Sequence, residues 1–82
     1  MRYTLDIQPT AHRDLRSLSP EIARRVVSKL ALLEDDLGGD VKRLTRHTPA
    51  YRVRVGDYRV LFDIVGPTVV VQRVIHRSKA YD

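Results

Sequence analysis

Cysteine is absent from this 82-residue chain, which excludes a disulfide framework, a thiolate nucleophile and a Cys-based zinc site. No apolar run approaches the ~20 residues that a bilayer span requires. The opening MRYTLDIQPTAH lacks the apolar stretch of a secretory signal. A cytoplasmic location without a membrane partner is therefore expected. There is no repeat, linker or low-complexity segment, so residues 1–82 are expected to form a single domain. Acidic residues are scarce in the second half. Residues 42–82 hold nine Lys/Arg against three Asp/Glu, about +6, whereas residues 1–41 hold six against seven, about −1. A pI near 10.1 concentrated in one half points to a polyanion partner, with a solvated basic surface as the bland alternative.

The most telling stretch is YRVRVGDYRV, residues 51–60. Alternation puts Tyr51, Val53 and Val55 on one face of a strand and Arg52 and Arg54 on the other. Gly56-Asp57 predicts a two-residue turn, with Gly56 supplying the positive φ of a type II′ geometry. That turn pairs Val55 with Tyr58, Arg54 with Arg59, Val53 with Val60 and Tyr51 with Phe62. Like charges directly opposite are destabilising, on the scale of ~0.2–1 kcal/mol per pair. The arrangement makes sense if an anion is meant to lie there.

The remaining pattern predicts a first strand over Tyr3–Gln8 and a short helix carrying Ala11, Leu15 and Leu18. Ser19-Pro20-Glu21 is a helix start, with Ser19 as cap and Pro20 in the first turn. The stripe Ile22, Val26, Leu30, Leu33 and Leu37 then predicts a helix to about Asp36, stopped by Gly38-Gly39. Residues 40–50 read as a basic loop in which Leu44 anchors into the core. The β-branched TVVV at 68–71 predicts a central last strand covered on both faces. The expected fold is α+β, in the order β-α-α-β-β-β. Two N-terminal helices pack on one face of a mostly antiparallel four-stranded sheet, and Arg52, Arg54 and Arg59 lie on the other.

Together AHRDLRSL, LALLEDD, KRL, YRVRVGDYRVLF and IHRSKAY resemble the RelE/ParE superfamily of bacterial type II toxins, over almost the whole chain. The resemblance implies the RelE-like microbial RNase fold. RelE-branch members are ribonucleases that enter the ribosomal A site and cut messenger RNA. ParE-branch members poison DNA gyrase and lack the full catalytic set. The RelE-branch active residues fall on Arg52 and Arg54, on Arg59 after the turn, on Arg77 after the last strand, and on Tyr81. Lys is frequent at the strand pair, where this chain has Arg twice, and only some members carry His76. Partners implied by the resemblance are a cognate antitoxin, the ribosome and messenger RNA, with operator DNA reached only through the antitoxin.

Cutting RNA by attack of a 2′-hydroxyl needs a base, an acid and cations for the charge on phosphate. Arginine forks suit the last task and, with a pKa above ~12, are poor proton shuttles. Proton transfer would then fall to Tyr81, which could instead stack on a nucleotide or cover the core edge, or to His76, which could instead satisfy a carbonyl at the strand end. Arg59 could also be an ordinary surface pair with Asp63 or Asp57. Lys42, Arg43, Arg46 and Lys79 would hold RNA backbone, and His12 and His47 read as surface residues. No cofactor and no metal are expected.

Overall fold

The computed structural model describes residues 2–38 and 41–79. Its elements are β1 (Thr4–Ile7), α1 (Pro9–Ser17), α2 (Pro20–Glu34), β2 (Val41–Arg43), β3 (Tyr51–Val55), β4 (Tyr58–Val65), β5 (Thr68–His76) and a 3-10 turn over Arg77–Lys79. The strands form one sheet in the order β1-β5-β4-β3-β2. Only β1 and β5 run parallel; the other pairs are antiparallel.

The core lies between the helices and one face of the sheet. From α2, Val26, Leu30 and Leu33 meet Val53, Val55, Val60, Phe62, Val69, Val71 and Val74. Tyr51 stacks on Phe62 with ring centroids 5.7 Å apart. Burying each such side chain stabilises by about 1.5–3 kcal/mol. The start of α2 is as its sequence predicts: Pro20 opens it and the Ser19 side chain accepts from Ile22 N.

Four expectations need correction. Val41–Arg43 is a fifth strand rather than loop, paired with Tyr51–Val53. Three residues at a polar sheet edge are too few to show a period. The second helix ends at Glu34, before the glycines, because Asp36 (φ 64°) and Leu37 (φ 56°) are already left-handed. Leu37 packs against the core there, which rewards the turn. The last strand is interior but not central, since β4 holds the middle. Val69 and Val71 are buried while Val70 is half-buried, so only one face is fully covered.

Helix α1 closes the edge of β5 where β1 stops. Gln8 N donates to Val71 O at 2.9 Å, and Thr10 Oγ1 donates to Gln72 O at 2.7 Å. Asp14 then accepts from Val74 N at 2.9 Å and from Arg73 Nε at 2.8 Å. This bond is the main reason the Arg73 guanidinium is held even more firmly protonated than usual. Side chains of α1 thus stand in for a missing strand.

Candidate nucleic-acid interface

The β3–β4 hairpin has the register its sequence predicts: Tyr51↔Phe62, Val53↔Val60, Arg54↔Arg59 and Val55↔Tyr58. Gly56 takes φ +58°. On the face away from the helices, Lys42, Arg52, Leu61 and Arg73 form one cross-strand row, and Arg54, Arg59 and Ile75 form the next. Lys42, Leu44, Arg52, Arg54 and Arg59 surround a depression of about 280 Å³. Among the described residues its walls carry four cations and no carboxylate.

Arg52 is only 8% exposed and Arg59 only 9%, while Arg54 is open to solvent. Burying guanidinium groups so close together costs free energy unless an anion or other acceptors compensate. Arg59 is held in place by its own turn: Nη1 donates to Gly56 O at 3.1 Å and to Tyr58 O at 2.9 Å. Arg52 and Arg54 also have partners within the protein. Leu61, 3% exposed, stands between Arg52 and Arg73 in register, an apolar floor beneath long side-chain stems.

Arg59 does not take up Asp63 or Asp57 as a surface pair. Asp63 instead accepts from Ala50 N at 2.8 Å and from Gln72 Nε2 at 3.4 Å. Asp57 lies 3.9 Å from the Arg77 guanidinium, with both side chains exposed. Such a pair contributes little. The backbone holds Arg77 better, its N donating to Asp57 O at 2.7 Å.

The other expected residues are split. Lys42 joins the arginines, but Arg43, paired with Tyr51, falls on the opposite face of β2 by alternation. Arg43 and Arg46 line a separate depression with Leu44 and Thr45. Lys79 is exposed in the 3-10 turn. Tyr81 lies outside the described residues.

His76 sits opposite Tyr58, and the two rings meet edge to face at 5.5 Å. A register shift leaves Gln72 as an extra residue on β5, so Val74 and His76 share the helix side with Val69 and Val71. The sheet therefore separates His76 from Arg52, Arg54 and Arg59. Its Nδ1 accepts from Ser78 N at 3.2 Å, capping the 3-10 turn rather than satisfying a carbonyl.

Three further residues depart from their sequence reading. Leu44 lines the cationic depression instead of joining the core. His47 is half-buried, with Nδ1 donating to Pro49 O at 2.9 Å, whereas His12 is exposed as expected. Asp63, which the sequence offers only as a surface partner for Arg59, instead pins the start of β3. Ala50, whose N it receives, accepts in turn from Leu44 N at 2.6 Å.

The family described as "ParE toxin of type II toxin-antitoxin system, parDE" matches residues 5–81. Toxin RelE3 of Methanocaldococcus jannaschii is 34% identical over 77 residues, covering 85% of each chain. The toxin in the RelBE2 toxin-antitoxin complex of Mycobacterium tuberculosis superposes with a TM-score of 0.80 at 36% identity, covering 94% of this chain and all of that one. The archaeal RelE-RelB complex of Pyrococcus horikoshii gives a TM-score of 0.79 at 26% identity, covering 98% and 100%.

Proposed function

This chain belongs to the RelE/ParE superfamily of type II toxins, and on that premise we propose an endoribonuclease that cuts messenger RNA in the ribosomal A site. The observation that carries this reading is the cationic depression. Two of its arginines are buried, and Arg54 and Arg59 stand directly opposite each other. A fold maintained only for stability gains nothing from that juxtaposition, whereas a phosphodiester relieves it.

In the proposed reaction the 2′-oxygen forms a bond to the adjacent phosphorus and the bond from phosphorus to the 5′-oxygen breaks. A base takes the 2′-proton and an acid returns one to the leaving oxygen. Arg52, Arg54 and Arg59 clamp the phosphate oxygens, as guanidinium forks do. Arg59, tied to Gly56 O and Tyr58 O, is preorganised for charge that grows in the transition state. Lys42 extends the clamp along the backbone of the RNA. Tyr81 is assigned the base role, and solvent water supplies the proton to the leaving 5′-oxygen. His76, turned to the helix side with Nδ1 occupied, is assigned to shaping the chain end. Arg77, held by Asp57, would meet the neighbouring phosphate.

The proposed partners are the ribosome with its messenger and an antitoxin encoded beside the gene. Relatives of this chain form complexes with an antitoxin. The family's description as ParE makes gyrase the rival target. Pulse labelling after expression without antitoxin separates the two. Translation should stop first, with messenger cleaved on ribosomes, and Arg59→Ala should remove both effects. DNA synthesis or supercoiling failing first, with messenger intact, would replace the nuclease by a gyrase poison.

A further inference from the structure

Strand alternation places the Asp63 carboxylate on the same face of β4 as Arg59 and Leu61, yet Asp63 is not among the walls of the cationic depression. Its oxygens are turned to other groups: Oδ1 accepts from Ala50 N at 2.8 Å and Oδ2 from Gln72 Nε2 at 3.4 Å. The β3–β4 pairing ends at Tyr51 and Phe62. The Asp63 side chain therefore supplies Ala50 N with the acceptor that no further rung provides. Ala50 in turn closes a loop, because its carbonyl accepts from Leu44 N at 2.6 Å across residues 45–49. Within that loop His47 Nδ1 donates to Pro49 O at 2.9 Å. Arg46 takes φ 57° there, a left-handed backbone that costs free energy in any residue with a Cβ. The loop keeps this shape only with its ends tied.

Leu44 is the side chain that the closure places. It lines the cationic depression beside Lys42, Arg52, Arg54 and Arg59, and it also lines the depression of about 410 Å³ formed with Arg43, Thr45 and Arg46. One apolar side chain is thus a wall shared by two basic hollows.

Resting on the nuclease reading above, we propose that Asp63 is a positioning residue for RNA cleavage: through Ala50 it sets Leu44 as the wall against which a nucleotide lies while the arginines hold its phosphate. A clamp on phosphate fixes the charge but leaves a single strand free to turn about its backbone bonds. An apolar wall beside the clamp restricts sugar and base, which is what alignment of the 2′-oxygen with phosphorus requires. A carboxylate free on this face would be drawn to the arginines and would compete with phosphate for them. Bonded to Ala50 N, it stays out of the depression. Gln72, the extra residue at the bulge, steadies the second oxygen, and its own carbonyl accepts from Thr10 Oγ1 at 2.7 Å. The relay therefore runs from α1 across the sheet to the rim of the depression.

The test compares Asp63→Ala, Asp63→Asn and Leu44→Ala in the full chain on messenger bound to ribosomes, with kcat and KM measured separately. Melting curves give the folded fraction of each variant, and rates are taken per folded protein. Asp63→Ala should lower kcat/KM about 10- to 100-fold, the scale of a small misplacement of substrate. The loss should fall mainly in kcat, since the arginines still bind phosphate. Asp63→Asn should keep most of the rate: its Oδ1 still accepts from Ala50 N, and Gln72 can turn its amide oxygen to the amide that replaces Oδ2. Leu44→Ala should match Asp63→Ala, and the double variant should be no slower than either alone. Hydrogen exchange at Leu44 N should quicken in Asp63→Ala and not in Asp63→Asn. An ordinary rate in folded Asp63→Ala would overturn the proposal. So would an Asp63→Asn protein as slow as Asp63→Ala, which would make the charge the active feature, or losses that multiply in the double variant. Failure of the nuclease reading looks different: the unsubstituted protein would then leave messenger intact, although exchange at Leu44 N would still depend on Asp63.

Discussion

On the helix side of the β3–β4 hairpin, Tyr51 stacks on Phe62 and Val53 faces Val60; on the outer side, Arg54 faces Arg59 and Arg52 faces Leu61. One register serves both sides, because a strand's side chains alternate and cannot be shifted independently. The helix side rewards that register with close packing. The outer side is penalised by it. Two faces of one hairpin thus divide the labour: the apolar pairs fix the geometry, and that geometry forces cations together where phosphate is proposed to bind.

Breaking the apolar side should have the largest effect. Phe62 is fully buried, and Phe62→Ala should cost about 3–5 kcal/mol, as deletion of a large core side chain does. Denaturant unfolding would measure this. The fraction still folded should cleave messenger at the ordinary rate, since no clamp residue changes.

Arg59→Ala is the opposite experiment. Cleavage should fall about 10²- to 10³-fold, the scale of losing one preorganised stabiliser. Stability should move by no more than about 1 kcal/mol, because the loss of two bonds to turn carbonyls is offset by relief of repulsion from Arg54. A folded Arg59→Ala protein that cuts messenger at the normal rate would remove the outer face from the mechanism.

A finer comparison sets charge against shape. Arg52→Lys and Arg54→Lys should keep part of the activity, while the Ala variants lose about 10²-fold. Arg52, being buried, should tolerate Lys less well than the exposed Arg54. Equal rates for Lys and Ala variants at both positions would count against a phosphate clamp.

The smallest effect is expected at the turn that joins the faces. Gly56→Ala places a Cβ on a left-handed backbone, a cost of roughly 1–2 kcal/mol, and crowds Arg25. Adding Arg25→Ala should recover the crowding but not the backbone cost. Complete recovery in the double variant, read from thermal midpoints, would show that the φ of Gly56 contributes nothing.

Much of this was legible without coordinates because it is local. The helix start at Ser19-Pro20, the apolar stripe of α2 and the hairpin register all follow from neighbours a few residues apart. The edge strand β2 was hidden by its shortness and polarity. Leu44 reads as a core anchor from the sequence because it is an apolar residue in a basic loop. In the fold it belongs to the rim of the cationic depression.

The sequence by itself determined the alternation of YRVRVGDYRV and therefore the confrontation of Arg54 with Arg59, since a two-residue turn leaves no freedom in pairing. It could not decide which side of the sheet receives His76. Counting by two along β5 from Val69 and Val71 puts His76 with the arginines. The bulge at Gln72 inverts that parity and turns it toward Tyr58. Nothing near Gln72 in the chain announces the bulge. The flanking backbone is bound by Thr10 Oγ1 on Gln72 O and by Asp14 on Val74 N, from a helix some sixty residues earlier. Those contacts exist only once the helix has docked on the strand, so tertiary structure alone assigns His76 its side.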